Sequence, residues 1–289
     1  MSRMRTRIIV ICMFFALVAV GISVIFAMPS PTHSVIRKSI PVIHTSKPMY
    51  LVSLGDSVAA GDGLPVTSST TSAIQCAQSN QAYPYMVAQA EHLILKQFAC
   101  SGATIMNGIM QSQVVNGVTV MPQISSAKPY LPQSDVLITV GANDVNWEKE
   151  LYTCAVSNCA TVENAALFQQ SLNQLQANLA SMLQSIQVSH PKKVIINTYY
   201  PLLANDDTCL VSRGISTSKI IWVNNREAEL NATISAAAKQ FNDQPVSIVF
   251  DGHLLCSADP WIQNLSSSAP LHPTAAGQAF IASQDEQAL

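Results

Sequence analysis

From residue 49 onward, short apolar runs alternate with longer stretches in which apolar residues return at a helical spacing. The short runs cover residues 50–54, 94–98, 136–140, 194–198 and 247–250. Runs of this length predict buried strands. Between them, residues 164–188 set Leu167, Phe168, Leu172, Leu175, Leu179, Met182, Leu183 and Ile186 on one helical face, and Pro191 ends the pattern. Residues 82–92 and about 221–241 predict two more helices. The Leu and Ile stripes are read as core and not as a cofactor site. Strands alternating with helices predict an α/β fold, a parallel sheet covered on both faces. No internal repeat is visible.

The pattern before residue 49 is different. Arg3, Arg5 and Arg7 precede an uncharged, mostly apolar run over residues 8–28, 21 residues long. That is enough to span a bilayer as a helix, and a positive start before an apolar core also describes a secretory signal. Signal peptide and uncleaved membrane anchor both remain open. Either leaves the arginines in the cytoplasm and exports the rest of the chain, to the extracellular space or the outer face of the membrane. Residues 29–48, with Pro29, Pro31, Pro41 and Pro48, read as a linker. Residues 49–289 suffice for one domain with a sizeable core.

Charge narrows the partners. The whole chain is formally −2, but from residue 49 nine Lys and Arg face 17 Asp and Glu, a formal charge of −8. That sign argues against nucleic acid and suits neutral substrates. Seven cysteines are present. Cys12 lies in the apolar leader. Cys76, Cys100, Cys154, Cys159, Cys209 and Cys256 are an even set outside a cytosolic context, which suggests disulfides, with 15 possible pairings. No Cys-x-x-Cys or His-Glu-x-x-His is present, so no metal site is expected. Gly-x-Ser-x-Gly, a Rossmann glycine set and a Walker lysine are also absent, and no cofactor is expected.

Four short segments carry the candidate chemistry. Gly55-Asp56-Ser57-Val58 follows the first predicted strand, a position where an open α/β sheet exposes reactive groups. Ala99-Cys100-Ser101-Gly102-Ala103-Thr104 comes next. Val140-Gly141-Ala142-Asn143-Asp144-Val145 follows the third predicted strand, and Leu271-His272-Pro273-Thr274 lies near the C-terminus. Each alone is ordinary turn, cap or loop chemistry. In this order, Ser57, Gly102, Asn143 and His272 resemble the four marker residues of the SGNH (GDSL) hydrolases, over residues 49 to about 283. The resemblance implies a flavodoxin-like, three-layer sheet of about five strands and a serine esterase or lipase. Ser57 is then the nucleophile, His272 its base, and the N–H groups of Ser57 and Gly102 with the Asn143 amide the oxyanion donors.

One departure matters. Most members carry Asp three residues before the histidine; here that position is Ala269, and no carboxylate lies between Asp259 and His272. The expectation is a Ser–His dyad whose imidazole N–H is held by a main-chain carbonyl, with Asp259 or Asp251 folding back, or a weakened enzyme, as the alternatives. Phe250-Asp251-Gly252-His253-Leu254-Leu255-Cys256, then Pro260-Trp261, is similar to secreted actinobacterial-type lipases of the family. That resemblance suggests pairings 76–100, 154–159 and 209–256, and makes His253 a loop or packing histidine and not a second base. The rival functions are a carbohydrate or cell-wall O-deacetylase and a degenerate surface-tethered binding domain. Loops 61–80 and 205–220, which would set pocket depth, have no readable pattern.

Overall fold

The structure, a computed structural model, describes residues 49–66, 69–205 and 208–289. The leader over residues 8–28, Cys12 and the linker over 29–48 lie outside the described residues. In chain order the elements are β1 (Tyr50–Gly55), α1 (Ser57–Ala60), α2 (Thr71–Gln75), α3 (Tyr83–Ala90), β2 (Ile94–Gln97), β3 (Gln113–Val115), β4 (Val118–Val120) and α4 (Gln123–Ala127). There follow β5 (Asp135–Thr139), α5 (Trp147–Val156), α6 (Val162–Gln187), β6 (Lys193–Asn197), α7 (Thr208–Val211), α8 (Thr217–Gln240), β7 (Gln244–Val246) and α9 (Ala275–Ala288).

Five strands form one parallel sheet in the order β2-β1-β5-β6-β7. β5 is buried along its whole length, and β1 and β6 at every position but the first, which explains their unbroken apolar runs. The chain moves from β1 to β2 in one direction and from β5 through β6 to β7 in the other. Right-handed crossovers therefore put the intervening helices on opposite faces. α3 packs with α9 and α6 with α8. The predicted stripe on α6 is its buried face, from Phe168 and Leu172 to Ile186. The order reverses between β1 and β5, the place where open α/β sheets gather ligands at strand C-termini.

The fifth strand is displaced from its expected position. The ladder occupies β7, and residues 247–250 run on beyond it. Their partner strand β6 stops at Asn197, and the Thr198 hydroxyl takes over by accepting the Ile248 N–H at 3.1 Å. The hairpin β3–β4 and the helices α5 and α9 were not expected.

Gly55 fixes the join between the two central strands. Its φ is +137°, and a Cβ there would sit 2.1 Å from the Thr139 carbonyl oxygen. The Gln123 side chain grips the same residue twice, accepting the Gly55 N–H and donating to the Gly55 carbonyl, both at 2.8 Å. Three cysteine pairs are bonded, Cys76–Cys100, Cys154–Cys159 and Cys209–Cys256. The first ties α2 to the loop that follows β2.

Five carboxyl groups, four buried and one half-buried, shape the pH response of this core. Burial pushes Asp56, Asp144 and Asp243 up to about 6, Asp285 to about 7 and Glu227 to about 8. Their unfolded values are about 4. The native state then holds more protons than the unfolded one between about pH 4 and 8, so stability falls as pH rises through that window. Urea unfolding is expected to show a higher midpoint near pH 5 than near pH 8. The reverse order would mean these groups are charged and well paired in the native state.

Candidate active site

Ser57 is the first residue of α1, immediately past the end of β1. Asp56 caps this short helix by accepting the Val58 N–H at 3.0 Å, and Gly61 closes it in the left-handed conformation. The Ser57 turn is thus pinned at both ends. His272 lies after a loop held against residues 261–263. Gln263 N–H donates to the His272 carbonyl at 2.8 Å, and Leu271 N–H to the Gln263 carbonyl at 3.0 Å. Tyr200 donates its hydroxyl to the Leu271 carbonyl at 2.8 Å.

These two supports bring His272 Nε2 to 2.7 Å from Ser57 Oγ. The other ring nitrogen, Nδ1, lies 3.0 Å from the Pro270 carbonyl oxygen. A carbonyl can only accept, so Nδ1 carries the hydrogen in the neutral ring and Nε2 is left as the acceptor facing the serine. Ala269, where the family pattern has an aspartate, is buried, its methyl packed against the Gly63 turn. Asp259 is directed elsewhere, to His253, whose Nδ1 lies 2.7 Å from the Asp259 main-chain carbonyl and 3.5 Å from its carboxylate. The His253 ring stacks on Trp261 with centroids 3.8 Å apart. Asp251 is exposed.

Gly102 and Asn143 come from the neighbouring loops. Gly102 has φ +75°, and the position of a Cβ there is open space, so the backbone conformation and not crowding calls for glycine. Ser101 Oγ donates to the Asp62 carboxylate at 2.5 Å, tying this loop to the turn after Ser57. Asn143 Nδ2 donates to the Ala103 carbonyl at 3.0 Å. An amide nitrogen carries two hydrogens, so this contact orients the side chain and leaves a second N–H with no protein acceptor among the described residues. Asp144 accepts the Ile105 N–H at 3.1 Å, a second clasp between the loops after β2 and β5. Among the described residues the N–H groups of Ser57 and Gly102 meet no protein acceptor.

Behind the site lies a group that sequence reading passed over. Tyr199 donates its hydroxyl to Asp56 at 2.5 Å and accepts the Ala142 N–H at 3.0 Å. One phenol therefore locks the Ser57 turn to the loop bearing Asn143. Burial raises the Asp56 carboxyl to about 6, against the pull of Tyr199, the Val58 N–H and His272. Burial also raises the Tyr199 hydroxyl, so it stays a donor. Position gave one usable signal, since Tyr199 follows directly on the fourth predicted strand. Among the described residues no three His, Cys, Asp or Glu side chains are grouped to hold a metal ion, and no helix is long and apolar enough to cross a membrane.

Comparison with known proteins agrees with this architecture. The chain is 30% identical over 238 residues to Lipase 1 of Streptomyces coelicolor, covering 79% of this chain and 82% of that one. It superposes on an extracellular lipase from Streptomyces rimosus with a TM-score of 0.67 at 24% identity, covering 82% of this chain and 99% of that chain. A phospholipase A1 from Streptomyces albidoflavus gives 0.63 at 23% identity, over 82% of this chain and 100% of that chain. These two superpositions speak for a shared fold. Residues 53–280 match the model of the GDSL-like lipase/acylhydrolase family. With four-fifths of the chain inside that match and a lipase relative alongside it, the chain belongs to the GDSL-like lipase/acylhydrolase family.

Proposed function

We propose that this ester hydrolase works through Ser57 and His272 as a dyad, with the N–H groups of Ser57 and Gly102 and the second N–H of Asn143 as oxyanion donors. The observation that carries the proposal is the pair of contacts on one imidazole, Nε2 to Ser57 Oγ at 2.7 Å and Nδ1 to the Pro270 carbonyl at 3.0 Å. His272 takes the hydroxyl proton as Ser57 Oγ attacks the ester carbonyl carbon. The carbonyl oxygen becomes an oxyanion and is held by the three donors. Collapse breaks the bond to the alcohol oxygen, which receives the proton back from His272. Water then repeats the sequence on the acyl-serine, with His272 again as base, and releases the acid.

The Pro270 carbonyl fixes the tautomer and lends its dipole to the transient imidazolium. It brings less negative charge than an aspartate would. The disulfides and the leader over residues 8–28 support export, to the cell exterior or its outer membrane face. The test is hydrolysis of p-nitrophenyl esters set beside acetylated glycans. Turnover of the aryl esters with little release of acetate from glycans is expected. The opposite preference would make the protein a deacetylase, and silence on both a binding domain.

Asn143 is expected to act on the transition state. Asn143→Ala should lower kcat by roughly 10²–10³ with KM little changed. A change confined to KM would reduce it to a substrate-positioning group.

A further inference from the structure

The hairpin β3–β4 carries a residue that none of the four motifs marks. Gln113, the first residue of β3, is buried, and its side-chain Nε2 lies 3.0 Å from the Ser101 carbonyl oxygen. A carbonyl only accepts, so the amide nitrogen donates to it. That carbonyl belongs to the same peptide group as the Gly102 N–H. In a trans peptide the C=O and the N–H point opposite ways. A bond that holds the Ser101 carbonyl therefore aims the Gly102 N–H.

We propose that Gln113 is a positioning residue for ester hydrolysis, holding the Ser101–Gly102 peptide in the orientation that presents the Gly102 N–H to the oxyanion. The inference rests on the reading of Gly102 as an oxyanion donor beside Ser57. The turn is the first argument. Residues 100–103 form a β-turn closed by the Ala103 N–H on the Cys100 carbonyl at 3.1 Å, with Gly102 third in it and its φ at +75°. A positive φ at that place is the signature of a type II turn. A half-turn of the central peptide converts type II into type I, and glycine accepts both forms. The two forms share the closing bond and the chain path on either side. They differ in where the central peptide points. The type I form would turn the Ser101 carbonyl to the side that the Gly102 N–H now faces, and a carbonyl there would repel an oxyanion.

The second argument is a contrast with the other main-chain donor. The Ser57 N–H shares its peptide with the Asp56 carbonyl, which accepts the Ala60 N–H at 3.0 Å within α1. Helix geometry fixes that peptide. At Ser101 the N–H is held by the Cys76 carbonyl at 3.1 Å and Oγ by Asp62 at 2.5 Å, but among the described residues no main-chain N–H reaches the carbonyl. Gln113 supplies there what the helix supplies at Ser57. The third argument is the other end of the amide. Gln113 Oε1 is buried with no hydrogen-bond partner among the described residues, and a Cβ on Gly108 would come within 2.3 Å of it. An amide buried with one end unpaired works against folding. Packing alone therefore does not account for a glutamine at this position.

The experiment compares the wild type with Gln113→Met on a p-nitrophenyl ester and on the matching thionoester, whose sulfur accepts hydrogen bonds weakly. Methionine keeps the length of the side chain and loses the donor. On the oxygen ester kcat is expected to fall about 10–100-fold with KM little changed, a smaller loss than removal of a donor outright. On the thionoester, which gains little from the Gly102 N–H, the fall should be severalfold smaller. The unfolding midpoint should stay near that of the wild type. An equal loss on both substrates would mean a general distortion of the site and overturns the proposal. So does a change confined to KM, or unchanged turnover in the folded variant. Should Gln113→Met fold poorly, Gln113→Leu serves in its place with the same expectations. Two controls separate this proposal from the reading beneath it. If Ser57→Ala and Asn143→Ala lose activity while the Gln113 variants keep it, the dyad and its oxyanion donors stand and only the role of Gln113 falls. If Ser57→Ala retains turnover, the underlying reading falls and this proposal with it.

Discussion

His272→Ala is expected to lower kcat by about 10⁴-fold or more, while Asp251→Asn and Asp259→Asn each leave turnover close to wild type. In a triad, neutralising the acid alone costs about 10⁴ in kcat. Here neither aspartate contacts the ring. Asp259 has an 81% exposed side chain and serves His253, Asp251 is exposed, and Nδ1 is taken by the Pro270 carbonyl. Steady-state kinetics on a p-nitrophenyl ester separates the cases. A loss near 10⁴ in either asparagine variant would reveal a carboxylate that moves in to orient the imidazole, and the dyad would be wrong.

Ser57→Ala is expected to have the largest effect of any single change, about 10⁶ in kcat, as for other nucleophilic serines that work as a unit with their base. The variant should fold normally. The features that shape this turn are the Gly55 backbone, the Asp56 cap, the Gln123 grip and the left-handed Gly61, and none of them uses the Ser57 hydroxyl. Circular dichroism and the unfolding midpoint check the fold, and kinetics the activity. A folded variant with appreciable turnover would return Ser57 to ordinary turn chemistry.

The sheet was legible because its central strands are buried on both faces and so read as unbroken apolar runs. Four of the five expected strands lie within a residue or so of the observed ladders, and the α6 stripe is its buried face. The fifth strand was misplaced because residues 247–250 are as apolar as a strand, yet pairing stops where β6 ends. The hairpin β3–β4 left a signal that was passed over, Asn116-Gly117, both residues with positive φ between two valine runs. Helix α9 lacked a clear stripe. Its buried face includes Gln278 and Asp285, polar groups bonded inward to Val58 and to Asn197, so hydropathy could not outline it. Of the site, the four marker residues were legible as motifs. Gln123, Tyr200 and Tyr199 were not singled out, because their roles are hydrogen bonds to residues 68 to 143 positions away in the chain.

The central claim is that Ser57 is the nucleophile. A fluorophosphonate, which forms a covalent bond only with an activated serine, followed by peptide mass spectrometry, tests it most directly. One label per chain is expected, on Ser57, abolished in Ser57→Ala and strongly slowed in His272→Ala. A label on any other serine, or labelling of Ser57 at an undiminished rate without His272, would contradict it.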